Sequence, residues 1–194
     1  MSTFVISDTH FSHANILKYC NRPFANVDEM DQALKSNWNN VVKPEDTVYV
    51  IGDFALIRGA NPDEKISKLE ALTRSLNGTK HLIIGNHDKF ESLEYICCGF
   101  DSVAYGFVEE SIHNHLFVMC HYQMTSWNKS HFGSMHLFGH EHWKRQHEPK
   151  HSMYEEMHWS ERKFNVCADA NDFTPVNMLD IVNALEKRPT NFEK

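Results

Sequence analysis

Six short apolar runs punctuate the chain, at residues 3–6, 47–51, 81–84, 116–120, 135–138 and 164–167. They are rich in β-branched and aromatic side chains and almost free of polar alternation, which predicts strands buried on both faces. Between them the apolar period lengthens. In 27–41, Val27, Met30, Ala33, Leu34, Trp38 and Val41 recur close to every 3.6 residues, predicting a helix with Asp28 as its N-cap or first-turn acid. Residues 62–76 open on Pro62 and carry Ile66, Leu69, Leu72 and Leu76 on one face, with Asn77-Gly78 as the stop. Residues 176–185, behind Pro175, predict a C-terminal helix. Strands alternating with helices predict an α/β fold with a parallel or mixed sheet. Across 101–120 strand follows strand, so antiparallel pairing is expected there. The polar stretch 143–162, with His147, His151 and His158, reads as a surface excursion within a single domain spanning 1–194.

Composition narrows the class. The chain has 194 residues, 41% of them hydrophobic and 23% charged, which fits a globular protein and excludes a disordered or collagenous one. No apolar run reaches the ~20 residues that cross a bilayer, and the first residues carry neither a basic start nor an apolar segment, so neither membrane nor signal peptide is expected. The formal charge of −7 opposes a general role in binding nucleic acid. Five cysteines, odd in number and without a C-x-x-C pair, point to a reduced, cytoplasmic setting in which they serve as small core residues.

The chemistry lies where the strands end. Asp8-Thr9-His10 follows the first run, Gly52-Asp53 the second, Gly85-Asn86-His87-Asp88 the third, His121 the fourth and Gly139-His140-Glu141-His142 the fifth. In α/β sheets the ligand crevice lies beyond the carboxyl ends of the strands. Buried strands fix their ends rigidly, and glycine lets backbone approach a ligand closely. Carboxylate, amide oxygen and imidazole together suit borderline divalent ions: Mn²⁺ first, with Fe²⁺, Zn²⁺ and Ni²⁺ as alternatives. Without a thiolate in the set, a structural zinc site is not expected. The donors Asp8, His10, Asp53, Asn86, His121, His140 and His142 are too many for one ion and enough for two.

In this order the motifs resemble those of the calcineurin-like metallophosphoesterase superfamily, over roughly residues 4–142. Asn21-Arg22-Pro23-Phe24, Glu29-Met30, Trp38-Asn39 and Asp46-Thr47-Val48-Tyr49 resemble its small bacterial and phage branch. The resemblance implies an αββα sandwich of two mixed β-sheets flanked by helices, with the site at the strand ends. It implies one metal held by Asp8, His10 and His142, another by Asn86, His121 and His140, and Asp53 bridging the two. It implies in-line attack on phosphorus by a hydroxide shared between the metals, with His87 outside the ligand set as catalytic acid or transition-state stabiliser. Where phosphoprotein phosphatases of the superfamily carry a second Asp three positions after the bridging one, this chain has Leu56. The partner that orients His87 is therefore absent or supplied elsewhere, with Asp88 as the candidate.

Outside the motifs, His13 could face a phosphate or open a helix, and Arg22 could hold a phosphate or form a salt bridge. Trp127 and Lys129 could border the cleft, though packing is the expectation for Trp127. The expected substrate is a small phosphate ester, a phosphodiester of a nucleotide or similar compound. A phosphomonoesterase and a non-catalytic metal-binding scaffold of the same fold are the alternatives. The oligomeric state is not legible.

Overall fold

The computed structural model describes residues 1–142 and 162–186. Among the described residues nine strands form two sheets: β1 (Thr3–Ile6), β2 (Thr47–Ile51), β3 (Thr79–Ile83), β4 (Ser102–Ala104), β5 (Phe107–Ile112), β6 (His115–Cys120), β7 (Met135–Phe138), β8 (Lys163–Asn165) and β9 (Val176–Asn177). The helices are α1 (Ile16–Tyr19), α2 (Val27–Val41), α3 (Pro62–Arg74), α4 (Ser92–Cys97) and α5 (Met178–Leu185). The first sheet has order β4-β3-β2-β1-β9, parallel except for β9; the second has order β5-β6-β7-β8, parallel except for β5. Two mixed sheets with flanking helices are the architecture expected of the metallo-dependent phosphatase fold.

Side-chain alternation builds two apolar layers from one set of strands. Phe4, Ile6, Val48, Val50 and Leu82 face Met30, Leu34 and Trp38 of α2, Leu69 of α3 and Tyr95 of α4. Val5, Ile51 and Ile83 point the other way, onto Phe117 and Met119 of β6, Met135 and Leu137 of β7, and Met178, Ile181, Val182 and Leu185 of α5. This two-faced burial explains why β1, β2 and β3 read as continuous apolar runs.

Local chemistry sets the helix starts. Asn26 caps α2, its Oδ1 accepting from Glu29 N at 2.9 Å, while Glu29 Oε2 accepts from Ala25 N at 3.0 Å. Asp28 is therefore a first-turn acid rather than the cap. Asn61 caps α3 likewise, with Pro62 at its first position. The stop of α3 moves: it ends at Arg74, before Asn77-Gly78, because the Ser75 and Leu76 amides turn back onto Leu72 O and Thr73 O. The expected helix at 176–185 also divides. Val176 and Asn177 pair with Val5 and Phe4 as an added edge strand, and Asn177 then caps α5. The expected strand-rich segment 101–120 holds β4, β5 and β6, with β5 and β6 antiparallel. Of the polar stretch 143–162, all but Arg162 lies outside the described residues.

The sheets meet where the site forms. Ser7, just past β1, bridges to Cys167, just past β8, through Ser7 N to Val166 O at 3.0 Å and Ala168 N to Ser7 O at 2.9 Å. The turns after β1 and β2 run side by side, joined by Asp8 N to Gly52 O and His10 N to Asp53 O, both at 3.0 Å. The strand ends of both sheets are thereby fixed against one another.

Candidate metal centre

Four candidate donors sit in left-handed backbone: Asp8 (φ 55°), His10 (φ 51°), Asp53 (φ 54°) and His140 (φ 67°). Non-glycine residues rarely adopt this region, and strain of this kind collects at functional sites. Glycines make room for the crowding. A Cβ on Gly139 would fall on Asp8 Oδ2 and Ser7 Oγ, and one on Gly85 would fall on Asp53 Oδ1. The glycine-before-polar rhythm of the sequence thus marks close approach around the carboxylates.

The donors converge in two groups that share Asp53. Asp8, His10 and Asp53 have ligand atoms within 4.8 Å of one another, and so do Asp53, His121 and His140. One oxygen, Asp53 Oδ2, stands 3.6 Å from His10 Nε2 and 3.5 Å from His121 Nε2. His142 Nε2 joins the first group at 3.5 Å from Asp8 Oδ1, and Asn86 Oδ1 joins the second at 3.1 Å from His121 Nε2. All seven candidate donors are therefore brought to one place. The first group is deeply buried, whereas Asn86 and His140 are exposed, so the second group faces the approach from solvent.

Supporting bonds aim these atoms. Ser7 Oγ and His140 N donate to Asp8 Oδ2 at 2.6 and 2.9 Å, leaving Oδ1 free to face the cluster. His87 N donates to Asp53 Oδ1 at 2.7 Å, leaving Oδ2 between the two histidines. His121 Nδ1 lies 2.9 Å from Ile51 O, a bond that turns Nε2 toward Asp53 and Asn86.

Among the described residues, Asp8 Oδ1 and His10 Nε2 are two of the three buried side-chain atoms without a hydrogen-bond partner, the third being Arg162 Nε. A buried polar atom without a partner costs roughly 1–3 kcal/mol. Asp8 Oδ1 and His10 Nε2 face the same space, 4.0 Å apart, and a cation between them would satisfy both. The mixed oxygen and nitrogen donor set suits borderline divalent cations.

Electrostatics agree with this arrangement. Burial holds the His10 imidazole down at about 2, keeping it neutral with a lone pair to offer. Burial alone would raise Asp53, but the hydrogen bond and charge of His121 and the His87 amide outweigh it and bring the carboxyl to about 2. Burial also opposes charge on His121 and His142, yet Asp53 lifts the first to about 9 and Asp169 the second to about 10. Loading such a site with a divalent cation releases protons, so affinity rises with pH.

Two sequence expectations are corrected, the phosphate role of Arg22 and the Asp88 partner of His87, while the salt bridge also open to Arg22 is what forms. Arg22 is not presented to a substrate. All five of its N–H donors are committed inward: Nε and Nη2 to Asp169 at 3.0 and 2.7 Å, Nη2 to Asp8 O at 2.6 Å, and Nη1 to Thr9 O at 2.9 Å and Met30 Sδ at 3.3 Å. Asp88 does not orient His87. Its carboxylate accepts from the amides of Asp53, Gly85 and Phe54 at 2.8, 2.8 and 2.9 Å, cross-tying two ligand turns. Burial pushes that carboxyl up to about 6 against the pull of those amides. Cys20 and Cys167 lie against His142, in groups with Asp169 and Asp8. Burial raises the Cys167 thiol far above its usual range, so it stays a neutral packing group.

His13 is buried with its Nδ1 at 3.1 Å from His10 Nδ1, behind that residue rather than opening a helix. The His87 ring lies 5.3 Å from that of His10 and 5.7 Å from that of His13. Trp127 packs inward on His136, donating to Ser134 O at 3.2 Å. Asp169 and Tyr122 were missed by sequence reading. Asp169 follows a sixth apolar run, the same signal that marks the other donors. Tyr122, half exposed, stands 4.8 Å from the His140 ring and has no such signal.

Several known proteins resemble this chain. A protein of unknown function from Aquifex aeolicus shares the fold, with a TM-score of 0.68 and 24% identity over 94% of this chain and 98% of its own. An uncharacterized protein of Methanocaldococcus jannaschii is 36% identical over 184 residues, 95% of this chain and 91% of its own length. The gene 66 protein of Mycobacterium phage L5 is 33% identical over 87 residues, 45% of this chain and 40% of its own. Residues 1–112 match the calcineurin-like phosphoesterase family, and with a relative this similar over nearly its whole length, the chain belongs to that family.

Proposed function

We propose that the protein is a dinuclear-metal phosphoesterase that hydrolyses a small phosphodiester. The observation that carries this reading is Asp53 Oδ2, set between His10 Nε2 at 3.6 Å and His121 Nε2 at 3.5 Å, where one carboxylate oxygen can serve two cations. Asp8, His10 and His142 would hold one ion, and Asn86, His121 and His140 the other. When bound, such a pair supplies an activated water and Lewis-acid stabilisation of charge at phosphorus.

The chain's own residues do the remaining work. Asp8 and Asp53 neutralise cationic charge in the buried half of the site and hold it in register through Ser7 and the His87 amide. Asn86 and His140, exposed, leave room for a substrate on the solvent side. His87, half-buried beside His10, would donate a proton to the leaving alkoxide. A diester is favoured over a monoester because Arg22, the arginine offered by sequence for phosphate, is held inside. A dianionic monoester draws more on such a cation than a monoanionic diester does. Mn²⁺ suits the mixed oxygen and nitrogen donors. Five free cysteines fit a reduced, cytoplasmic location, and no helix among the described residues is long and apolar enough to cross a membrane.

The test is a single panel: the purified chain loaded with Mn²⁺, Ni²⁺, Zn²⁺ or Mg²⁺, assayed on bis(p-nitrophenyl) phosphate and p-nitrophenyl phosphate. The diester should be turned over faster, and a chelator should abolish both reactions. A monoester preference would favour the phosphomonoesterase alternative. Two bound metals without turnover of either substrate would favour a scaffold.

A further inference from the structure

Arg22 and Asp169 form a buried pair that does more than neutralise itself. Arg22 is 4% exposed and Asp169 is 7% exposed. Their bidentate contact, at 3.0 and 2.7 Å, joins the segment before α2 to the turn after β8, 147 residues away. A buried ion pair is by itself weak evidence of stabilisation. Here each partner also holds one end of a candidate metal position.

Asp169 Oδ2 lies 2.7 Å from His142 Nδ1, with the Cys167 thiol as a further donor at 3.5 Å. That bond fixes which His142 nitrogen carries hydrogen and turns Nε2 toward Asp8 Oδ1 at 3.5 Å. At the other end Arg22 donates to the carbonyls of Asp8 and Thr9 at 2.6 and 2.9 Å. These bonds hold the left-handed turn at Asp8 (φ 55°), which presents its unpartnered Oδ1 to the same space. One guanidinium and one carboxylate thus set two donors of a single position. In the other position His121 and Asn86 have separate supports: His121 is aimed by Ile51 O at 2.9 Å, and Asn86 lies 3.4 Å from the Tyr122 hydroxyl.

The geometry points to an Arg22–Asp169 clamp that pre-aims His142 and Asp8 and so sets the affinity of one metal position without setting that of the other. The inference rests on the dinuclear reading above. Asp169 is a positioning residue acting through His142. Outer partners of ligating histidines typically govern ~10–100-fold in metal affinity.

The experiment is calorimetric titration of the whole chain with Mn²⁺, with circular dichroism of each variant alongside. The wild-type chain should take up two equivalents. Asp169→Asn should keep one at its original affinity and weaken the other by about 10–100-fold. In a His142→Ala background, Asp169→Asn should add no further loss, because the residue through which it acts is gone. Should Asp169→Asn fail to fold, Asp169→Glu decides. It keeps the charge for Arg22 but moves the carboxylate off His142, and should weaken the same single equivalent. A wild-type chain with two equivalents and a folded Asp169 variant that keeps both affinities overturns the clamp alone. So does equal weakening of both equivalents, or a full additional loss in the His142→Ala background, since either marks a general structural role. A wild-type chain that binds no Mn²⁺ overturns the dinuclear reading itself.

Discussion

Asp53→Asn should abolish turnover while leaving the fold intact. The substitution keeps shape but removes the charge that faces His10 and His121 from one oxygen. It also sets an amide, able to present N–H to both imidazoles, where an acceptor stood. Loss of one or both cations is expected, and with it several kcal/mol of transition-state stabilisation. At 1.4 kcal/mol per decade, that is at least about 10³-fold in rate. The fold should persist because Asp53 belongs to neither apolar layer, and its backbone bonds to His10 N and Asp88 do not use the side chain. Metal content by mass spectrometry and turnover should fall together. Unchanged activity would remove Asp53 from the bridging role.

His87→Ala carries the second-largest expected effect and separates chemistry from metal binding. The His87 backbone amide, not its ring, supports Asp53, so alanine keeps that bond. Metal stoichiometry should stay at its wild-type value. Proton donation by a positioned side chain contributes about 10²–10⁴-fold, mostly where the leaving group is a poor one. The defect should therefore be large for an alkyl phosphodiester and small for a nitrophenyl one. A defect of equal size for both would argue against proton donation. Metal loss would make His87 a ligand. Because Asp88 is tied to three amides and turned from His87, any acid function there runs without the carboxylate partner sought in the sequence.

How much of this was legible depended on how local each signal is. Helix α2 was readable at both ends because its apolar period and its flanking polar residues are local facts. The candidate donors were readable because every one follows an apolar run, and a buried strand can end only at a layer boundary. The edge strand β9 was not readable: two residues, Val176 and Asn177, are strand only because β1 offers them a free edge. Arg22 shows the same limit more sharply. Nothing near it in sequence reveals that an acid 147 positions away closes on its guanidinium. Asp88 was read as a neighbour of His87 because it adjoins it in the chain, whereas the turn points its carboxylate the other way. The sequence supplied the donor types; long-range pairing decided which charged groups face inward as supports and which face the site.

The most direct test of two adjacent cations is anomalous diffraction from crystals grown with Mn²⁺, recorded on both sides of the manganese edge. Two peaks about 3.5–4 Å apart are expected. Asp53 Oδ2 should lie between them, with Asp8, His10 and His142 around one and Asn86, His121 and His140 around the other. A single peak, or two peaks that Asp53 does not join, would contradict the shared-carboxylate arrangement on which the proposed hydrolysis depends.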